Sequence, residues 1–343
     1  MPAINPQVLD MDGCGDVDRA LGHRWTSTSV SVSTAYGAVA GYGIQNAATA
    51  TRYFDPIEWP IIGFHLNIRG ATDPSSGPEI WLREGEIVKA KVKFPQTGSV
   101  QFYDSAGTLQ AETAAGTWQL QTWFYFEIRM LVSNSTEMEI RLFQNVDLDN
   151  PDLKIPVGSF IDTLNAAGGG TAVVNNVSFR CIGAGNIHWI DDWYLMNGSL
   201  FTVGLGGIQV VGRTVDSDEL AEWTRSAGGT NVSCVQEIPF SATSFLTATA
   251  EGNQDLYGTA DDAIEIEEVY AVRTIGKLKR TGETPVAVEF LADDGDQVLN
   301  GDTQHLTTTA LVRAEIFQAP AYADIWDRDA VNASDFGIER VAP

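Results

Sequence analysis

Hydrophobic and polar residues alternate with a period of two along much of the chain. Between Ile62 and Arg69, the apolar residues Phe64, Leu66 and Ile68 alternate with polar ones. Strict alternation is typical of a β-strand with one face in a core and the other in solvent. The pattern recurs in short segments over the whole sequence, so we expect a protein built almost entirely of strands.

A second alternating segment carries a basic stripe. From Val88 to Phe94, every second residue is apolar, and the residues between them are three of the six lysines of the chain, Lys89, Lys91 and Lys93. The period predicts that these lysines share one face of one strand. That face is interpreted as solvated, with contact to an acidic neighbouring subunit as the alternative.

Turn signals separate the alternating segments. Asp104-Ser105-Ala106-Gly107 and Asp293-Asp294-Gly295-Asp296 each lie between two apolar runs, and this chemistry is typical of hairpin turns. A helix is predicted only within residues 324–336, with Asp327 or Asp324 as its N-cap. Many short strands with regular turns predict an all-β fold of sandwiches or jelly rolls.

Length and charge narrow the classes of function. The 343 residues contain 45 acidic and 21 basic side chains, a net charge of −24. This charge argues against nucleic-acid phosphate and anionic membranes as partners. The start of the chain shows no secretion signal, and no apolar run has the length of a membrane span. Cys14, Cys181 and Cys234 are odd in number and far apart, so we expect three free thiols.

Glycine and polar residues between 198 and 207 suggest a division of the chain. We therefore predict a first β module over residues 21–203 and a second, smaller β-sandwich module over residues 204–343. Residues 1–20 are polar, with four aspartates and two prolines, and precede the first module. We predict that this segment docks on a neighbouring protein by adding a strand, with docking on its own sandwich as the alternative.

Several short motifs, taken in order, resemble a known family. The first half resembles laminin-G-like, concanavalin-A-like jelly rolls of tailed-bacteriophage virion proteins, through Gly116-Thr117-Trp118, Trp123–Met130, Glu137–Leu142 and Ile190–Leu195. The second half is similar to a module attached to such jelly rolls, through Val210–Arg213, Asp216–Asp218, Trp223-Thr224, Gln254–Tyr257, Ala330–Ala333 and Phe336–Ile338.

The resemblance implies a concanavalin-A/laminin-G-like jelly-roll sandwich followed by a β module. It also implies a non-enzymatic structural protein that decorates or cements the particle surface of a phage, on head or tail. The expected partners are other virion proteins and further copies of this chain as a homo-oligomer. The expected location is the virion, after folding in the cytoplasm of the bacterial host.

Tryptophans support a glycan-binding alternative. A receptor-binding module of a phage tail would stack host surface glycans on exposed aromatic rings, and we expect Trp59 and Trp81 to be the most exposed tryptophans of the first module. Core packing is the competing role for the tryptophans as a group.

Adjacent aspartates are the candidate metal ligands. Because neighbouring strand residues face opposite ways, one of Asp191 and Asp192 is expected to point inward and to need a partner. Ca²⁺ would be such a partner; backbone amides or an arginine are the alternatives. The acidic turn at 293–296 lacks the spacing of a complete calcium loop.

Catalytic patterns are missing from the sequence. Glu137 and Glu139 share a strand face, but Leu142 stands where a glucanase would carry its third carboxylate. Glu265, Glu267 and Glu268 fail on the same spacing. The sequence has no nucleophile elbow, no metal-binding histidine pair and no phosphate loop, so we expect neither an enzyme nor a cofactor.

Overall fold

The structure is a computed structural model that describes residues 8–12, 25–27, 30–33, 41–45, 49–70, 77–131, 135–143, 153–161, 173–181, 187–198, 208, 210, 212–226, 228–236, 243–260, 269–295, 297–318 and 326–343. Residue contacts divide the chain into two compact units. His23–Val210 belongs to the first unit, and Val211–Pro343 belongs to the second. The predicted boundary at residues 203 and 204 lies outside the described residues.

The first unit contains an eight-stranded sheet. Its strands are β1 (Val8–Asp12), β3 (Val30–Ser33), β4 (Gly41–Gln45), β6 (Pro60–Gly70), β11 (Phe124–Leu131), β12 (Ser135–Phe143), β13 (Leu153–Ile161) and β15 (Ile187–Asn197). They pair antiparallel in the order β13-β12-β11-β6-β15-β4-β3, and β1 pairs with β15 off this path. The described part of the predicted docking segment thus adds a strand to the sheet of its own chain.

A seven-stranded sheet completes the first unit. Its strands are β2 (Trp25–Ser27), β5 (Thr49–Ile57), β7 (Pro78–Glu84), β8 (Ile87–Lys93), β9 (Gln101–Tyr103), β10 (Leu109–Glu112) and β14 (Val174–Cys181). They pair antiparallel in the order β10-β9-β8-β7-β14-β5-β2. The chain crosses between the sheets several times, as in a jelly roll.

The two sheets enclose one apolar core. In β6 and β11, every second residue is buried in it, which confirms the alternation seen in the sequence. Phe64 packs edge-on against Phe179 of the opposite sheet, with the ring centroids 5.3 Å apart. Burial of these aromatic side chains and of the aliphatic ones around them stabilises the sandwich. The expectation that tryptophans pack in the core is correct for Trp118 and Trp193.

One lysine departs from the predicted stripe. The pairing of β7 with β8 shifts by one residue at Leu82 and Arg83, which leaves Lys89 in a bulge. The Lys89 side chain is 0% exposed, and its Nζ lies 3.0 Å from Oε2 of Glu84. The interpretation of three lysines on one solvated face is therefore wrong for Lys89, because a bulge redirects the side chain.

The second unit is built around a six-stranded sheet. Its strands are β16 (Val215–Ala221), β19 (Gln254–Thr259), β21 (Ala287–Asp293), β22 (Val298–Asn300), β23 (Gln304–His305) and β25 (Asp335–Val341). Two two-stranded sheets accompany it, formed by β17 (Thr224–Arg225) with β18 (Leu246–Thr247) and by β20 (Val272–Leu278) with β24 (Leu311–Phe317). Its core contains Phe290, Phe317, Trp326, Val331 and Phe336.

The described helices are short. They are α1 (Val232–Val235) and α2 (Arg328–Ala333). The side chain of Asp327 accepts a hydrogen bond from the Ala330 amide at 2.7 Å, so the predicted N-cap is confirmed at Asp327. Neither of these helices is long and apolar enough to cross a membrane. The prediction of an all-β fold with sandwich-type sheets is confirmed.

Candidate functional site

The outer face of the seven-stranded sheet carries a tryptophan near its centre. In β7, buried Ile80 and Leu82 alternate with half-exposed residues, so that Glu79 and Trp81 point away from the core. Strand β7 is the fourth of the seven strands. We call this surface the Trp81 face and define it by Glu79, Trp81, Lys91, Lys93, Tyr103 and Arg180.

Strand register fixes the spacing of the Trp81 face. Trp81 lies opposite Lys91 of β8 on one side and opposite Ser178 of β14 on the other. Lys91 in turn lies opposite Tyr103 of β9. Since neighbouring strands are about 4.8 Å apart, the two aromatic residues are about 10 Å apart along one row. The face therefore offers two aromatic residues separated by a charged one, over a length that suits an extended ligand.

Three cations lie over the indole ring of Trp81, and the most distant of them is Arg83, whose Cζ is 5.9 Å from the ring centroid. Cζ of Arg180 lies 3.8 Å from the ring centroid, and Nζ of Lys91 lies 4.8 Å from it. The ring nitrogen Nε1 donates a hydrogen bond of 2.7 Å to Oε2 of Glu79. Cation–π attraction and this hydrogen bond together fix the orientation of a side chain that is only half-buried.

The basic residues of the Trp81 face differ in their ion pairing from other described cations of this sheet. Elsewhere in this sheet, Lys89 pairs with Glu84 and Arg83 pairs with Glu86. Within the described part of the chain, no carboxylate lies within ion-pair distance of the three basic residues of this face, Lys91, Lys93 and Arg180. In a chain with 45 acidic and 21 basic side chains, these three cations thus form no ion pair among the described residues, and two of them, Lys91 and Arg180, contact the Trp81 ring instead.

Trp59, the other candidate for stacking, lies in a different place. It occupies the turn between β5 and β6, where the chain passes from one sheet to the other, and it is half-buried. Its carbonyl oxygen accepts a hydrogen bond of 2.5 Å from the amide of Gly198, next to the end of β15. Trp59 therefore belongs to an end of the sandwich, whereas Trp81 lies in the middle of a strand.

The candidate metal ligands Asp191 and Asp192 lie at a bulge in β15. The pairing of β15 with β6 shifts between Asp191 and Tyr194, and Asp192 has a φ of 46°. This left-handed conformation is uncommon for residues other than glycine, although aspartate is enriched in it. The Asp192 side chain is buried. The Asp191 side chain lies outside the described residues.

Both carboxylate oxygens of Asp192 contact protein groups. Oδ2 lies 2.7 Å from Nδ1 of His65, and Oδ1 accepts a hydrogen bond of 2.8 Å from the amide of Val210. A backbone amide was among the predicted partners, and His65 was not. Through these contacts Asp192 joins β6 to the segment after β15, which is a structural role for a buried carboxylate.

A second buried carboxylate lies on the same outer face of the eight-stranded sheet. Oε2 of Glu127 accepts a hydrogen bond of 2.5 Å from the hydroxyl of Tyr194. Burial, together with the negative charges of Glu127 and Asp192, raises the pKa of the neighbouring Tyr125 well above its usual range. Its phenol therefore stays protonated and packs in a small apolar cluster with Ile61, Tyr194 and Met196.

We predict that Asp192→Ala lowers the free energy of unfolding by about 1–2 kcal/mol, because the half-buried Val210 amide loses its acceptor and His65 loses its partner. Asp192→Asn keeps an oxygen for the Val210 amide and tolerates the left-handed backbone, so its loss should be smaller. Urea denaturation followed by tryptophan fluorescence measures both. Equal losses in the two variants would contradict the assignment of the Val210 contact.

The second unit has its own buried polar network around Asp255, and both carboxylate oxygens of Asp255 accept hydrogen bonds. Oδ1 of Asp255 accepts a hydrogen bond from the Trp223 amide, and Oδ2 accepts from Asn231 and from the hydroxyl of Tyr257, each at 2.7 Å. The buried thiol of Cys234, which is free, lies near this network. The hydrogen bonds from Trp223 and Asn231 tie segments outside β19 to this strand, so we assign the network to stability.

The other residues considered as metal ligands or catalytic groups form no site among the described residues. Among the described residues, no group of three or more His, Cys, Asp or Glu side chains is placed to hold a metal ion. Glu137 and Glu139 lie opposite Leu131 and Arg129 in the pairing of β12 with β11, but their side chains are outside the described residues. The same holds for residues 265–268, for Cys14 and for the side chain of Cys181.

Comparisons with known proteins found similarity at the level of solved structures. No protein-family model matches the sequence, and no curated protein matches it. The exoplasmic/lumenal domain of VIP36, in a Ca²⁺/Man3GlcNAc-bound form, is 10% identical over 54% of this chain and 90% of its own, with a TM-score of 0.35. Lectin I from Ulex europaeus, in complex with the methyl glycoside of α-L-fucose, is 12% identical over 51% and 92%, with a TM-score of 0.35. The carbohydrate recognition domain of Emp46p, in a metal-free form, is 10% identical over 50% and 87%, with a TM-score of 0.33.

Proposed function

We propose that this protein is a non-catalytic carbohydrate-binding protein, and that its first unit binds glycans on the Trp81 face. The observation that carries the proposal is the half-exposed Trp81, held in one orientation by Arg180, Lys91 and Glu79. A fixed aromatic ring surrounded by polar groups suits a sugar, which has both apolar C–H faces and hydroxyl groups.

The rest of the face fits the same ligand. The hydroxyl of Tyr103 donates to Gln101, and Gln101 donates to Glu112, each at 2.8 Å. This chain of half-exposed polar groups continues from the Trp81 row toward the edge of the sheet and supplies donors and acceptors for sugar hydroxyls. Strands rather than loops carry these side chains, so the surface is formed before the ligand arrives, which reduces the entropic cost of binding.

We expect Trp81→Ala to weaken glycan binding by about tenfold or more, because it removes the central aromatic contact of the face. The fold should survive, since Trp81 lies outside the core. A glycan array followed by isothermal titration calorimetry with the best ligand makes the measurement, and circular dichroism checks the fold.

Two further variants serve as controls. Phe245→Ala removes an aromatic ring that is 49% exposed in the second unit, and it should leave binding unchanged. Trp59→Ala tests the other tryptophan predicted to stack on sugars. The proposal is wrong if no glycan binds, or if Trp81→Ala binds as tightly as the natural protein. Loss of binding in Trp59→Ala alone would move the site to the end of the sandwich.

The finer expectations from the sequence stay predictions. They are a place in a phage virion as a decorating or cementing protein, contacts with other virion proteins, and a homo-oligomer. Ca²⁺ at Asp191 and Asp192 also stays a prediction, although both oxygens of Asp192 already contact His65 and Val210. Repeating the titration with a chelator tests whether glycan binding needs the ion.

A further inference from the structure

We propose that the ligand of the Trp81 face is an anionic glycan that carries carboxylate groups. The inference rests on the proposed function and adds the class of sugar. Its basis is the arrangement of Lys91, Lys93 and Arg180, which surround Glu79 and Trp81 on the outer face of the sheet.

The three cations form a compact set. Lys91 and Lys93 are two residues apart on β8 and point the same way, so their backbone positions are about 7 Å apart. Arg180, Glu79 and Lys93 are consecutive neighbours across β14, β7 and β8, which separates Arg180 from Lys93 by about 10 Å. With one carboxylate among three cations, the set keeps a local charge of about +2 on a chain with a net charge of −24.

The fold itself makes little use of these charges. Lys91 and Arg180 contact the Trp81 ring, and neither forms a hydrogen bond or ion pair among the described residues. In a strongly acidic protein, a lysine or arginine usually has a carboxylate beside it, as Lys89 has Glu84. Cations left unpaired beside an aromatic ring have the arrangement needed for a ligand that supplies both a sugar face and a negative charge.

The small size of this group of three cations favours an acidic oligosaccharide over a large polyanion. A polyanion such as nucleic acid would face repulsion from the net charge of −24 beyond this small patch. A short acidic oligosaccharide carries at most about one carboxylate on each sugar ring and ends within the patch, so it meets less of this repulsion. The planar guanidinium of Arg180 is suited to a carboxylate, which it binds through two parallel hydrogen bonds.

The test compares matched ligands on the full-length protein. A glycan array with neutral, sulfated and uronic-acid oligosaccharides is followed by titration with oligogalacturonate and with its methyl ester, which has the same backbone without the charge. We expect acidic members to bind and the methyl ester to bind about tenfold more weakly or not at all. Affinity for the acidic ligand should also fall as salt rises.

Charge variants locate the contact. Lys91→Gln combined with Lys93→Gln should weaken binding of the acidic ligand by about tenfold and flatten its salt dependence. Lys277→Gln, which removes an exposed lysine of the second unit, should change neither. Thermal unfolding should be the same in all three proteins.

The possible results separate the inference from the proposed function. Binding of neutral glycans alone, with loss in Trp81→Ala, would overturn the acidic class and leave a carbohydrate-binding Trp81 face. Binding of sulfated but not carboxylated sugars would also overturn the inference as stated. Equal affinity of Lys91→Gln/Lys93→Gln and the natural protein for the acidic ligand would remove these lysines from the site. Absence of any glycan binding would overturn both proposals.

Discussion

Gly63→Ala should destabilise the first unit by about 3 kcal/mol or more. A Cβ atom on Gly63 would lie 2.5 Å from Cδ1 of Tyr194, and closer still to Cε1 of the same ring and to the hydroxyl oxygen of Tyr125. Gly63 is paired with Glu127 on one side and Tyr194 on the other, so the Tyr194 ring crosses over it to reach Glu127. A methyl group there would displace the ring and break a buried hydrogen bond.

Chemical denaturation of the variant and the natural protein measures this loss. Gly282→Ala is the matched control, because a Cβ atom there meets no atom within 4 Å. Its free energy of unfolding should change by less than about 0.5 kcal/mol. If Gly63→Ala were as stable as Gly282→Ala, the packing of Tyr194 over Gly63 would be wrong.

The second large effect is a dependence of stability on pH that arises from His188. This side chain is fully buried and shares the inward face of β15 with Ile190 of the core. Among the described residues, neither ring nitrogen has a hydrogen-bond partner. Burial lowers the pKa of His188 from 6.5 to about 3, because the interior disfavours the charged ring.

The direction in which stability changes with pH follows from proton binding by His188. The unfolded chain binds a proton to this histidine below its ordinary pKa, whereas the folded protein does not until about pH 3. Stability is therefore fully present above the ordinary pKa and is lost as the pH falls toward the folded value. At about 1.4 kcal/mol for each pH unit, the loss from pH 6.5 to about pH 4 is about 3 kcal/mol.

His188→Leu isolates this contribution. The variant should lose about 3 kcal/mol less than the natural protein over the same pH range, although carboxylates titrate in both. It should also be more stable at neutral pH by about 1–2 kcal/mol, since two buried nitrogens without partners are removed. Denaturation midpoints of both proteins, measured at several pH values, test this contribution. If the two midpoints fell in parallel with pH, the buried, uncharged state of His188 would be contradicted.

Part of the candidate site was readable from sequence. The period of two predicts that Lys91 and Lys93 share one outward face, and the structure places both there beside Trp81, one of the two tryptophans considered for stacking on sugars. Arg180 was missed, because it lies 99 positions after Trp81 and no local signal connects them. Only the pairing of β14 with β7 places its guanidinium on the indole ring. His65 and Glu127 were missed for the same reason.

Residues close together in the sequence were enough to predict several local features of the fold. Alternation predicted the buried faces of β6 and β11, aspartate and glycine predicted the Asp104–Gly107 turn, and Asp327 predicted the start of α2. These signals are local because strand direction, turn conformation and helix capping depend on a few adjacent residues.

Tertiary structure alone decided the bulges and the contacts that they create. Alternation fails at Lys89 and at Asp192, where one extra residue redirects a side chain that the period would have placed elsewhere. A bulge is stable only when its partners are in place, such as Glu84 for Lys89, or His65 and the Val210 amide for Asp192. Those partners come from other elements, so the energy that selects the bulge does not exist until the sheets have assembled.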